Sequence, residues 1–143
     1  MVSASVAIRS AVKPFLERLE AGDSFLVAVS GGADSLALAQ ALYIESQSLA
    51  LNAIAITIDH QLQIDSHLQA ERVTSQLKEI GYGHVITKKV VVLLDSGLES
   101  GARDARYKAI EESLEETQAV KVFLGHTQND QAESVLLGLA RGS

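Results

Sequence analysis

The chain contains no cysteine among its 143 residues. That excludes a disulfide framework, a zinc–thiolate centre and a cysteine nucleophile. Long apolar runs are also missing. The strictly apolar stretch Val90–Leu94 is five residues, against the ~20 needed to span a bilayer. The first stretch, MVSASVAIRSAVKPFLERLE, carries charge throughout and has no signal-peptide core. Basic charge is scarce: 12 Lys+Arg stand against 18 Asp+Glu, a net charge of −6. Bulk charge of that sign does not attract nucleic acid. An RNA partner would need a local basic patch or residues outside this chain. These absences predict a soluble, cytoplasmic protein with no membrane partner. With 47% apolar and 21% charged residues, the composition is that of a folded domain. The length predicts one domain, residues 1–143.

Short apolar runs alternate with amphipathic stretches. Phe25–Val29, Leu51–Ile58, a strand within His84–Leu94, and Val120–Leu124 are nearly continuous apolar segments. Such runs suit strands buried on both faces of a parallel sheet. Helical spacing is present at about Ser5–Leu19, around the sole proline, Pro14. It recurs over Asp34–Ser48 and after Ser66. There Ser66-His67-Leu68-Gln69 forms a capping-box pattern, and Gly81 closes the helix. Leu98, Ala102, Ala105, Ala109 and Ile110 predict the core stripe of a further helix, and Gln128–Leu139 a last one. The order α-β-α-β-α-β-α-β-α predicts a doubly wound α/β fold with a parallel sheet. No internal repeat, low-complexity tract or linker interrupts it.

Ligands of such sheets bind beyond the carboxyl ends of the strands. The first strand ends in Ser30-Gly31-Gly32-Ala33-Asp34-Ser35. Two glycines permit a tight turn and close approach of a ligand to the backbone. The helix that follows aims free amides at the turn, which suits an anion. No lysine follows the glycines, so this is not a GxxxxGK[ST] loop, and the spacing is not GxGxxG. A carboxylate in a phosphate cradle calls for a cation, so Asp34 implies Mg²⁺ beside the phosphates. The plain structural alternative is a strand-to-helix turn with Asp34 as N-cap.

Ser30–Ser35 resembles the SGGxDS signature of the PP-loop, or N-type ATP pyrophosphatase, superfamily. Three further segments narrow the likeness. Asp59-His60-Gln61-Leu62-Gln63 resembles DHGLR. Ala102–Tyr107 resembles AARxxRY. Gly125–Ser143 resembles the HxxDDQAETxLxxLxRGSG segment of the tRNA(Ile)-lysidine synthetase family. The resemblance runs from about Phe25 to Ser143. It implies a PP-loop ATPase fold of the adenine nucleotide alpha hydrolase type. It further implies ATP-dependent adenylation of the wobble cytidine of tRNA(Ile) bearing a CAU anticodon. L-lysine then displaces AMP to leave lysidine.

By the same resemblance, Ser30, Gly31, Gly32, Ala33, Asp34, Ser35 and His126 bind ATP. Asp34 holds Mg²⁺ and counts among the catalytic residues, and Arg106 is the catalytic cation. Asp130 and Glu133, three apart on one helical face, hold the lysine substrate together with Asp34, with Asp130 also catalytic. The bland alternatives are helix-favouring charge for the two carboxylates, a structural role for His126, and a solvated helix face for Arg103 and Arg106, paired with Glu99 or Glu111. Main-chain groups near Ile56–Ile58 would read adenine, with little expected of the Asp59 and His60 side chains. His67 and His84 are expected at the surface, and Lys88-Lys89 at a solvated strand end.

Gln61 and Gln63 replace the Gly and Arg of DHGLR, and Asn129 replaces the first of the paired aspartates. The family continues past the RGS segment into tRNA-binding domains. The resemblance therefore implies a chain truncated at its C-terminus, one that binds nucleotide weakly and does not turn over alone. A homodimer stays open. Two rivals remain: another PP-loop ATP pyrophosphatase, amidating or tRNA-thiolating, and a non-catalytic ATP/AMP-binding module.

Overall fold

A computed structural model describes residues 4–93 and 97–124. Eight elements follow in the expected alternation: α1 (Ala4–Leu16), β1 (Ser24–Ala28), α2 (Ala33–Ser48), β2 (Asn52–Asp59), α3 (Ser66–Ile80), β3 (Val85–Lys89), α4 (Leu98–Thr117) and β4 (Lys121–Leu124). The predicted helix at 128–139 lies outside the described residues.

The strands form one parallel sheet in the order β3-β2-β1-β4. β1 is central, with Leu26 beside Ile54 on one flank and Val122 on the other. Strand alternation sends Phe25, Val27 and Val29 to one face, where they pack with Val12 and Leu16 of α1, Leu38 and Leu42 of α2, and Val73 and Leu77 of α3. Leu26 faces the other way, against Ile110 and Leu114 of α4. Both faces are therefore covered, which is why the strands read as continuous apolar runs.

The β1-α2-β2 and β2-α3-β3 units build the sheet in one direction. α4 returns over the opposite face to place β4 on the far side of β1. The strand order reverses at β1, and the carboxyl end of β1 is the crevice where doubly wound sheets take ligands.

The strand expected within His84–Leu94 is β3, in the first half of that segment; two other local expectations are corrected. Val90–Leu93 lie beyond the strand, with Val91 74% exposed and Leu93 67%. β3 is an edge strand paired only with β2, and that pairing ends at Asp59↔Lys89. Beyond one last bond, Val90 N–H to the Asp59 carbonyl (2.9 Å), β2 has no backbone left to offer. The capping box does not form. Asp65 is the N-cap of α3 and no side chain caps the helix. The Ser66 hydroxyl instead lies toward the Asp59 carboxylate, whose pKa it lowers. Finally, the α4 stripe is buried only in its lower part. Ala109, Ile110 and Leu114 pack on the sheet, whereas Leu98 is 55% exposed. The first turns of α4 overhang the strand ends, and this brings Arg106 to the site.

Candidate nucleotide site

The glycine turn is wired by its two serines. Ser35, buried at 2% exposure, accepts the backbone N–H groups of Ser30 and Gly31, both at 3.2 Å, and donates to the Gly32 carbonyl at 3.1 Å. Ser30 Oγ lies 3.2 Å from Ser35 Oγ and accepts the Gly32 N–H at 3.4 Å. Ser35 thus shapes the loop from within. Gly31 has φ +98°, and a Cβ there would stand 2.7 Å from Val73 and 2.9 Å from the Gln69 amide of α3. The turn is consequently clamped between β1 and α3.

Gly32 is the N-cap of α2, and no side chain caps the helix. Asp34 is therefore not the cap; it sits in the first turn, exposed to solvent. A carboxylate there is favoured by the helix dipole. The first amides of the helix keep no intrahelical partner, so backbone donors and one carboxylate share this edge of the crevice.

Beside the turn is a cavity of about 240 Å³. Its walls are the carboxyl ends of three strands: Ala28 and Val29, Ile56 and Ile58, and Leu124. Its polar groups are Ser30, His60 and Arg106. His60 Nε2 and Arg106 Nε are buried there without a hydrogen-bond partner among the described residues. The guanidiniums of Arg103 and Arg106 lie 5.5 and 5.4 Å from the centre of the Tyr107 ring. Burial, and then the Arg106 charge, hold the His60 pKa below its ordinary value, against the pull of Asp59.

A second hollow of about 350 Å³ adjoins the first, sharing Ser30, Ile58 and His60. Asp59 lies on it, 4% exposed. The Ser66 hydroxyl, the Gln61 N–H at 2.9 Å, and the charges of Lys89 and His60 hold the Asp59 carboxyl below the usual range, although burial opposes them. Gln61 keeps a left-handed backbone, φ +58°, at the position where the resembled motif has glycine. Its side-chain amide donates to the Val90 carbonyl at 3.1 Å.

The structure thus gathers Ser30–Ser35 and Arg106 around one crevice. His126, Asn129, Asp130, Glu133 and Ser134 lie outside the described residues. His67 and His84 are exposed, as expected. Lys88 is half-buried and pairs with Glu116 at 3.0 Å, so it is not a free strand-end charge. Sequence reasoning undervalued the His60 side chain. The signal was its place just past the end of β2, where alternation puts it on the opposite side from Asp59. Among the described residues no group of three or more His, Asp or Glu side chains is placed to hold a metal ion. No helix of the described residues is long and apolar enough to cross a membrane.

A family model for the PP-loop domain matches residues 4–143. The chain belongs to the PP-loop domain family. Among curated proteins, it is 52% identical over 118 residues to the tRNA(Ile)-lysidine synthase of Streptomyces coelicolor, covering 82% of this chain and 34% of the relative. It is 47% identical over 136 residues to the Thermobifida fusca protein of the same name, covering 95% of this chain and 42% of the relative. The chain therefore spans well under half the length of these relatives. Of solved structures, the U34-tRNA thiolase NcsA of Methanococcus maripaludis superposes with TM-score 0.74 at 18% identity, covering 96% of this chain and 50% of that one. The NH3-dependent NAD synthetase of Campylobacter jejuni gives 0.51 at 17% identity, covering 84% and 56%. At such identities the likeness is one of fold. It agrees with the doubly wound, parallel architecture expected of a PP-loop protein.

Proposed function

We propose that this chain is the nucleotide-binding portion of a tRNA(Ile)-lysidine synthase, a ligase acting on tRNA in the cytoplasm. ATP adenylates the C2 oxygen of the wobble cytidine in a CAU anticodon, releasing pyrophosphate. The lysine amine then attacks C2 and expels AMP, forming lysidine. The observation that carries this reading is the 52% identity to the Streptomyces coelicolor enzyme, in a chain whose glycine turn lies at the carboxyl end of its central strand.

The geometry supports a division of labour. The amides at the start of α2, past Gly31 and Gly32, receive the leaving pyrophosphate. Ser30 lies between turn and cavity, and Ser35 keeps the turn in shape. The strand ends around Ile56 and Ile58 form an apolar floor for the adenosine. Arg106, above that floor, offers a fixed cation to the charge that develops at the α-phosphate.

Asp34 is suited to Mg²⁺. Magnesium commonly takes one or two carboxylates and completes its shell with phosphate oxygens and water, and Asp34 is one exposed carboxylate at the phosphate turn. Bound there, the ion would neutralise charge on the leaving group. By family likeness, His126 joins the ATP site, while Asp130 and Glu133 take the lysine ammonium, whose three donors suit carboxylate oxygens.

Calorimetry tests the nucleotide part directly. ATP should bind this chain with Mg²⁺ present, and Asp34→Ala should abolish the Mg²⁺ dependence. Equal ATP affinity with and without Mg²⁺ in the unaltered chain would remove Asp34 from that role.

A further inference from the structure

We propose that His60 is a specificity-determining residue that reads a ribose hydroxyl of the bound nucleotide, sharing that hydroxyl with Arg106. The proposal rests on the nucleotide reading above and adds to it a side chain and a chemical group.

The argument begins with two buried nitrogens. Among the described residues His60 Nε2 and Arg106 Nε both lack a hydrogen-bond partner, and both residues line the same cavity. Leaving buried polar atoms unpaired is costly, and native proteins rarely do so without a use for them. The surrounding wall is apolar at Ala28, Val29, Ile56, Ile58 and Leu124, and its one hydroxyl, Ser30, is engaged by Ser35 and the Gly32 N–H within the glycine turn.

The two nitrogens want different things. Arginine stays protonated and is donor only. His60 is driven toward the neutral ring by burial and by the adjacent Arg106 charge. A neutral imidazole has one bare, accepting nitrogen, and the arginine's field favours the tautomer that turns it toward the cation. The site therefore presents one donor and one acceptor.

Few ligand groups satisfy both. A phosphate oxygen would take the Arg106 N–H but would face the bare imidazole nitrogen as a second acceptor. An adenine amino group alone would satisfy His60 and leave Arg106 unpaired; the base meets both only by turning its amino group and the neighbouring ring nitrogen to the pair together. A hydroxyl accepts from Arg106 and donates to His60 at once. In an adenine nucleotide the hydroxyls belong to the ribose. The remaining guanidinium nitrogens of Arg106 stay available for the phosphate.

Binding of ATP, 2′-deoxy-ATP and 3′-deoxy-ATP to this chain, with Mg²⁺, decides the matter. The unaltered chain should bind one deoxy analogue about tenfold more weakly than ATP. His60→Ala should lose about tenfold for ATP and almost nothing for that analogue, so the discrimination disappears. His60→Gln, whose amide can still accept, should keep part of it, with circular dichroism confirming the fold of both variants. Equal binding of all three nucleotides by the unaltered chain would overturn the role of His60 alone. So would an equal loss on all three in His60→Ala. Failure of every adenine nucleotide to bind the unaltered chain would overturn the nucleotide reading, and this inference with it.

Discussion

Ser35 Oγ accepts the Gly31 backbone N–H at 3.2 Å while itself buried at 2% exposure. The same oxygen takes the Ser30 N–H and gives its proton to the Gly32 carbonyl. One hydroxyl thus ties together three consecutive backbone positions of the glycine turn. Ser35→Ala would leave two amides without their acceptor. Ser30 is exposed and Gly31 only half-buried, so water replaces part of what is lost, and stability should fall by about 1 kcal/mol. Urea denaturation should show the midpoint shift at constant slope, and Mg²⁺–ATP affinity should drop with it.

The two glycines of the turn should separate folding from binding. At Gly31, φ is +98° and the space for a Cβ is taken by Val73 and Gln69. Gly31→Ala should cost about 2 kcal/mol or more from backbone strain and crowding together. Gly32 has an ordinary φ of −72°, and the nearest atom to an added Cβ is Ser30 Oγ at 3.7 Å. Gly32→Ala should therefore melt within about 0.5 kcal/mol of the unaltered chain. It should still weaken Mg²⁺–ATP binding, because the new methyl stands where a phosphate approaches the helix start. Thermal melts and calorimetry on both variants check the separation.

Gln61 occupies a glycine's conformation. Its φ is +58°, and its hydrogen bonds to Asp59 and Val90 offset part of the strain. Gln61→Gly should be close to neutral, since relief of strain trades against the lost Val90 bond and a freer unfolded chain. Gln61→Val should destabilise by about 1–2 kcal/mol, because β-branched residues resist that region. Denaturation midpoints of the pair give the comparison.

Acid should weaken the fold through His60 first and Asp59 second. The His60 pKa in the folded chain lies below its unfolded value near 6.5. Between those two values the unfolded chain binds more protons, so stability falls as pH drops below 6.5. The Asp59 pKa is also lowered, from 3.8. Its contribution is present above 3.8 and is lost as pH falls through the folded value. Denaturation at a series of pH values should show both phases. His60→Gln should flatten the upper one and leave the lower in place.

Much of this was legible in the residues, for a physical reason. Phe25–Val29 and Leu51–Ile58 are continuous apolar runs because helices cover both faces of the sheet, and each run became a strand within a residue or so of its expected ends. The glycine turn was legible because a φ of +98° beside α3 admits little else. What was lost depends on tertiary placement. Val90–Leu93 has strand composition, but β2 ends at Asp59 and offers only its last carbonyl, to the Val90 N–H. Ser66 has the pattern of a cap, but the helix starts one residue earlier, at an Asp65 N-cap, and the Ser66 hydroxyl lies toward the buried Asp59 carboxylate. His60 is one residue past β2, and no local pattern announces that α4 brings Arg106 down beside it.

The central claim is that this chain serves lysidine formation, and a chimaera tests it most directly. Residues 1–143 would replace the corresponding segment of the Streptomyces coelicolor relative, to which the chain is 52% identical. Labelled lysine would then be followed into a tRNA(Ile) transcript with a CAU anticodon. The account predicts ATP- and Mg²⁺-dependent incorporation, with AMP and pyrophosphate released in step, and its loss in Asp34→Ala. A folded chimaera that binds ATP yet transfers no lysine to that transcript would contradict it.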